Sequence, residues 1–137
     1  MQAMLEQVVA GAKDELIEGV EVLTRPALSA GPADVLEADG YLFGTPANIG
    51  YMSGALKHFF DQIYYPCLEA TTRRPYGLYV HGNEGLEGAV RSVQSIANAM
   101  GWEAVAPPLE SMGQPDKTTL DACRELGAVA AATIMPG

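Results

Sequence analysis

Two glycine-rich stretches of this 137-residue chain have the composition of a binding site rather than of plain connectors. The first, GTPANIGYMSG from Gly44 to Gly54, follows the apolar run Tyr41-Leu42-Phe43. In it Gly44 and Gly50 admit close backbone approach, Pro46 removes a donor and stiffens the turn, and Asn48 adds an amide. Such a surface suits a flat heteroaromatic ring whose edge alternates donors and acceptors. It contains no lysine and no Gly-Lys-Ser/Thr triplet, which excludes a Walker-type triphosphate cradle. The second stretch, HGNEG from His81 to Gly85, sets an imidazole, an amide and a carboxylate among two glycines, where they can meet the same ring from its other side. The plain alternative for each is a turn between a strand and a helix.

Other candidate groups read as structural. His81 has a bland reading as a partly buried, hydrogen-bonded residue beside a role in proton transfer. His58, next to Lys57, reads as surface, and the Phe59-Phe60 pair as core. Tyr51 is the one aromatic residue inside a ligand loop, whereas Tyr64, Tyr65 and Trp102 read as packing. Arg73 and Arg74 read as a solvated pair, with contact to a nucleotide phosphate as the alternative. Cys67 and Cys123 have neither CxxC spacing nor a histidine cluster, so reduced thiols are expected and no metal site.

The elements that must position the loops are legible from periodicity. Met1, Met4, Leu5, Val8, Val9 and Ala12 mark an opening amphipathic helix that needs a sheet to lie on. GVEVLTR reads as a strand near an edge, with Val20 and Val22 alternating against Glu21, and a short helical piece through Val35 and Leu36 leads to the buried-type strand DGYLFG. Met52, Leu56, Phe59 and Ile63 mark the next helix, with Ser53 available as N-cap and Pro66 expected to break it. The following YYPCLEATTRRP is long for a connector and is expected over the active site or at a subunit contact. PYGLYVHG is a third strand. Leu86, Ala89, Val90, Val93, Ile96, Ala97 and Met100 form one face of a helix that Gly101 ends. EAVAPPL reads as a short last strand stopped by Pro107 and Pro108, and a final helix carries Leu120, Cys123, Leu126 and Ala130, with Thr118 and Asp121 resembling a capping box.

Strands alternating with helices at this spacing imply a parallel sheet covered on both faces, with ligands beyond the carboxyl ends of the strands. The length suits one domain, 1–137. A formal charge of −9, with eight lysines and arginines, disfavours nucleic acid and anionic membrane surfaces and leaves a basic partner as the fitting one. No apolar run approaches the roughly 20 residues of a membrane span, and a cytoplasmic location is expected.

The segment ADGYLFGTPANIGYMSGALKHFFDQ resembles the flavin-binding loop and following helix of flavodoxin-like flavoproteins, especially NAD(P)H-dependent FMN reductases and NAD(P)H:quinone oxidoreductases. The motif is Gly44-Thr45-Pro46, then Gly50-Tyr51-Met52, then Lys57 to Gln62. The resemblance covers nearly the whole chain and implies a flavodoxin-like three-layer α/β/α sandwich with a parallel sheet. It also implies that Thr45, Pro46, Ala47, Asn48, Ile49, Gly50 and Tyr51 line the isoalloxazine ring of FMN, while His81, Gly82, Asn83, Glu84 and Gly85 flank its pyrimidine end. Beside a bound flavin, a milder role for His81 than proton transfer is to place positive charge near the reduced ring, because histidine as a residue type can titrate near neutral pH. No catalytic acid or base is needed from the chain, because the flavin accepts hydride.

The implied reaction carries electrons from NADPH or NADH through FMN to a quinone, a flavin or a similar small acceptor. Two alternatives stay open: a flavodoxin-type electron carrier and a flavin-free scaffold or fragment. A homodimer or higher homo-oligomer is compatible with the family. Its members begin with a buried strand and a Ser/Thr-rich phosphate loop, and this chain begins inside the helix that follows them. The N-terminal strand, central in the 2-1-3-4-5 sheet order, is therefore expected to be absent from these residues.

Overall fold

A computed structural model describes residues 1–136. The elements follow in the order α1 (Gln2–Ala12), α2 (Pro32–Glu37), β1 (Tyr41–Pro46), α3 (Gly54–Cys67), β2 (Pro75–Gly82), α4 (Leu86–Met100), β3 (Glu103–Ala104), β4 (Leu109–Met112) and α5 (Lys117–Thr133). All pairings are parallel: β2 lies between β1 on one side and β3 with β4 on the other.

Side-chain alternation assigns the layers. Phe43 of β1 and Tyr76, Leu78 and Val80 of β2 join Leu56, Phe59, Phe60 and Ile63 of α3 and Ala89, Val93 and Ala97 of α4 in the larger core. The opposite face sends Tyr79 toward Met4 and Val8 of α1 and Cys123 and Leu126 of α5. Trp102 closes the first core, stacked on Phe43 with ring centroids 5.5 Å apart, and its indole N–H donates to Thr71 Oγ1 at 2.9 Å.

Several expectations need correction. The Val20–Arg25 stretch is not a strand: it has no regular secondary structure and takes part in no backbone–backbone hydrogen bond among the described residues. Alternation alone cannot make a strand that has no neighbour to pair with. The opening helix rests chiefly on α5 rather than on the sheet. Gly11 and Gly127 allow this, because a Cβ on Gly11 would overlap the Arg124 carbonyl and one on Gly127 the Val8 carbonyl.

The α3 helix runs through Pro66 to Cys67. In the last turn the missing N–H costs one bond rather than the helix. The connector after it packs at the amino ends of the strands, away from the loops, where Arg74 donates to the carbonyls of Val35, Leu36 and Ala38 at 2.7–3.0 Å. Arg74 therefore closes the end of α2 and is neither solvated nor near a nucleotide site. The prolines 107 and 108 interrupt the last strand without ending it, since it resumes as β4. The α5 N-cap is Asp116, whose carboxylate accepts from Thr119 N at 2.8 Å, in place of the expected Thr118 box. Ser53 caps α3 as its sequence position predicts, accepting from Leu56 N at 3.2 Å, and Gly101 ends α4 in the left-handed conformation.

Candidate functional site

Because β1 and β2 are parallel and in register, Thr45 beside Val80 and Pro46 beside His81, both glycine-rich loops leave the same end of the sheet. Ala47 N donates to the His81 carbonyl at 2.8 Å, the last rung before the loops diverge. The first loop then folds into a miniature hairpin: Asn48 N donates to Tyr51 O at 2.8 Å and Tyr51 N to Asn48 O at 3.0 Å. Its two central residues, Ile49 and Gly50, have φ of 50° and 69°. Positive φ at both central positions matches the primed two-residue turns. Glycine adopts it freely, but a β-branched residue does so only under strain of about 1–2 kcal/mol. Ile49 nevertheless stands fully in solvent, so no packing of its side chain accounts for the strain. Such strain persists where the surroundings over-determine the backbone, which is common at ligand clamps.

Those surroundings are identifiable. Thr45 is fully buried beneath the loop, its hydroxyl donating to Pro46 O at 2.8 Å and accepting from Ser53 N at 2.9 Å. Ser92 of α4 accepts from Met52 N at 3.1 Å and donates to Ala89 O at 2.7 Å. The hairpin tip lies against the start of α4, where a Cβ on Gly85 would stand 2.9 Å from Gly50 Cα and one on Gly88 would overlap the Gly50 carbonyl. Glycines of the second loop and first helical turn thus let the first loop dock.

A third segment joins them that the sequence reading missed. Gly113 N donates to Gly82 O at 2.9 Å, and His81 Nε2 donates to Gly113 O at 2.7 Å, leaving Nδ1 of a neutral imidazole as the acceptor. Met112 is exposed beside them at the end of β4. The signal was present: Met112-Gly113 repeats the strand, glycine loop and helix pattern of the other two sites, hidden by the prolines before it.

Of the predicted residues, Asn48, Ile49, Gly50, Tyr51, Asn83, Glu84 and Gly85 are exposed, while Pro46, Ala47, His81 and Gly82 are half-buried. Thr45 supports from below and offers no surface. The backbone amides of Ile49, Gly50, Asn83, Glu84 and Gly85 have no partner among the described residues. Five free N–H groups on two adjoining loops make a rim of donors suited to the acceptor edge of a planar ligand. Neither loop contributes a lysine or arginine, and no three His, Cys, Asp or Glu residues are grouped as a metal site among the described residues.

Comparison with known proteins bears on the fold. No protein-family profile matches the chain. A flavodoxin of Aquifex aeolicus is 42% identical over 60 residues, a match that covers 44% of this chain and 31% of that protein. Solved structures align over nearly all of it. A WrbA-like flavodoxin from Agrobacterium tumefaciens superposes with a TM-score of 0.76 at 19% identity, covering 98% of this chain and 90% of that one. The two-electron reduced flavodoxin of Megasphaera elsdenii gives 0.77 at 22% identity, covering 95% and 89%. The chain has the flavodoxin-like α/β fold.

Proposed function

We propose that the loops at the carboxyl ends of β1 and β2 hold the isoalloxazine ring of FMN, and that the protein moves electrons from NADPH or NADH to a small acceptor such as a quinone. The observation that supports this reading is the rim of five free amides on the two docked loops, in the fold that flavodoxins share. The donor set fits the acceptor edge of the ring. Within residues 1–136 neither loop offers a cation to the FMN phosphate, so the chain as described addresses the ring better than the phosphate.

Bound flavin would supply hydride acceptance and electron release. The chain's own residues position and select. Gly50 and Gly85 keep side chains off the rim, Thr45 and Ser92 fix the height of the hairpin, and His81 is held by Gly113 with its Nδ1 available as a hydrogen-bond acceptor. The mouth is open, with Ile49 and Tyr51 in solvent, which suits exchange of small substrates at one face. No helix among the described residues is long and apolar enough to cross a membrane.

A second reading, a carrier that passes electrons to a protein partner, is favoured by the net charge of −9, which would steer a basic partner. One experiment separates the readings. The protein is titrated with FMN, and the complex is mixed anaerobically with NADPH or NADH and then with a quinone. Rapid bleaching followed by recovery supports the oxidoreductase. Bleaching only when a reductase protein is added supports the carrier, and absence of FMN binding overturns both.

A further inference from the structure

Large apolar side chains stand exposed at the carboxyl ends of two strands, Ile49 and Tyr51 after β1 and Met112 at the end of β4. Ile49 and Tyr51 belong to the hairpin. Met112 is 71% exposed, yet its backbone is firmly fixed. It is the register partner of Gly82 in the parallel pair of β2 and β4. Gly113, the next residue, is tied through both of its polar backbone atoms, its N–H donating to Gly82 O and its carbonyl accepting from His81 Nε2. An apolar side chain left in water on a backbone pinned in this way is a contact surface rather than a frayed end.

Register decides what lies beside it. Partners in a parallel pair send their side chains to the same face of the sheet, so Met112 stands on the side where Gly82 has none. A Cβ on Gly82 would come within 3.0 Å of the Ala47 Cβ and 3.5 Å of Leu86 Cδ1. Ala47, Gly82, Leu86 and Met112 therefore make one apolar ledge, low in the middle because Gly82 lacks a side chain. It adjoins the free amides of Asn83, Glu84 and Gly85.

The chemistry of the ledge defines its occupant. The donors along one side call for carbonyl oxygens, and the apolar floor calls for a ring or an alkyl body. Glu84 and Glu110 flank it, Asp116 caps the helix beyond, and Lys117 is engaged by Asp121 at 3.1 Å, so the local charge repels anions. Methionine, unbranched and polarizable, shapes itself to such a body.

We propose that Met112 is the side chain that receives the electron acceptor, and that it selects neutral, planar carbonyl compounds such as alkylated quinones over anionic ones. The inference deepens the oxidoreductase reading and rests on it for calling the occupant an acceptor.

The probes are FMN, menadione and naphthoquinone sulfonate, each titrated in its oxidised form into the full chain carrying isotope-labelled methionine methyl groups. The Met112 methyl resonance, identified by its loss in Met112→Leu, is followed by NMR, with Met135, also exposed but near the carboxyl terminus, as internal control. Menadione is expected to move the Met112 methyl saturably, to leave Met135 in place, and to bind about fivefold more tightly than the sulfonate. Met112→Lys should reverse that preference, while Met112→Leu holds menadione affinity within about twofold. A Met112 methyl unmoved by menadione, or an unchanged preference in Met112→Lys, overturns the proposal. Movement with FMN and none with menadione gives the ledge to the flavin ring and overturns the assignment to the acceptor. If FMN does not bind but menadione still moves Met112, the flavin reading falls and the ledge stands. Trp102 fluorescence verifies that Met112→Lys is folded, and if it is not, the resonances of the unsubstituted protein decide alone.

Discussion

The carbonyl of Gly50 rests on the Cα of Gly88, so closely that a Cβ on Gly88 would overlap it. This contact joins the two candidate loops into one surface. Gly50 itself meets nothing within 4 Å of where its own Cβ would stand. The two glycines are thus constrained for different reasons, Gly88 by space and Gly50 by its φ of 69°.

Gly88→Ala should accordingly lift the hairpin tip off α4, costing about 1–3 kcal/mol in urea unfolding and lowering FMN affinity. Gly50→Ala should cost only about 1–2 kcal/mol, the left-handed penalty, with a smaller loss of affinity. The same or smaller effect at Gly88 would mean that the loops are not docked. Gly101→Ala serves as control, since Gly101 also has positive φ but ends α4 far from the loops.

Thr45→Val retains shape and removes the hydroxyl that accepts from Ser53 N and donates to Pro46 O. An unpartnered group is then left under the loop, at a cost of about 1–3 kcal/mol. Ser92→Ala should do the same to Met52 N. Measured together, the two changes should be non-additive, because both release one hairpin.

Burial against α1 and α5 pushes the Tyr79 phenol up to about 12 from 10.0, with the Cys123 thiol adding to the shift. The raised value means that folding favours the neutral phenol. Its contribution is fully present below pH 10 and is lost as pH rises toward 12, in total roughly 3 kcal/mol. Burial shifts Tyr41 and Tyr76 in the same direction. Urea unfolding at pH 9 and pH 11.5 should show a steep alkaline loss of stability that Tyr79→Phe reduces. An unchanged pH dependence in that variant would show that Tyr79 does not titrate late.

Thr71 receives the Trp102 indole N–H and donates to Cys67 O at 2.9 Å, at the amino ends of the strands. Thr71→Val should therefore lower stability by about 1–3 kcal/mol while leaving FMN affinity within twofold. Because Trp102 is the single tryptophan, its fluorescence reports directly on this bond. A large fall in affinity would return the connector after α3 to the neighbourhood of the site.

Local signals made much of this protein legible. The 3.6-residue spacing of Leu56, Phe59, Phe60 and Ile63, the cap at Ser53 and the stop at Gly101 each act within a few residues, and the structure reproduces all of them. The two glycine-rich loops were recognisable for the same reason, since glycine, proline and asparagine restrict the backbone at the positions where they stand. Non-local consequences were not. Val20–Arg25 alternates like a strand, yet strand formation is a property of pairs, and no neighbour is there to pair with. Met112 and Gly113 join the site only because β4 resumes beside β2 after two prolines, which no pattern in the prolines themselves announces. Arg74 looks like a solvated cation until three carbonyls at the end of α2 converge on it. Short-range sterics and periodicity are written in the order of residues, whereas pairing and convergence exist only once distant segments share one space.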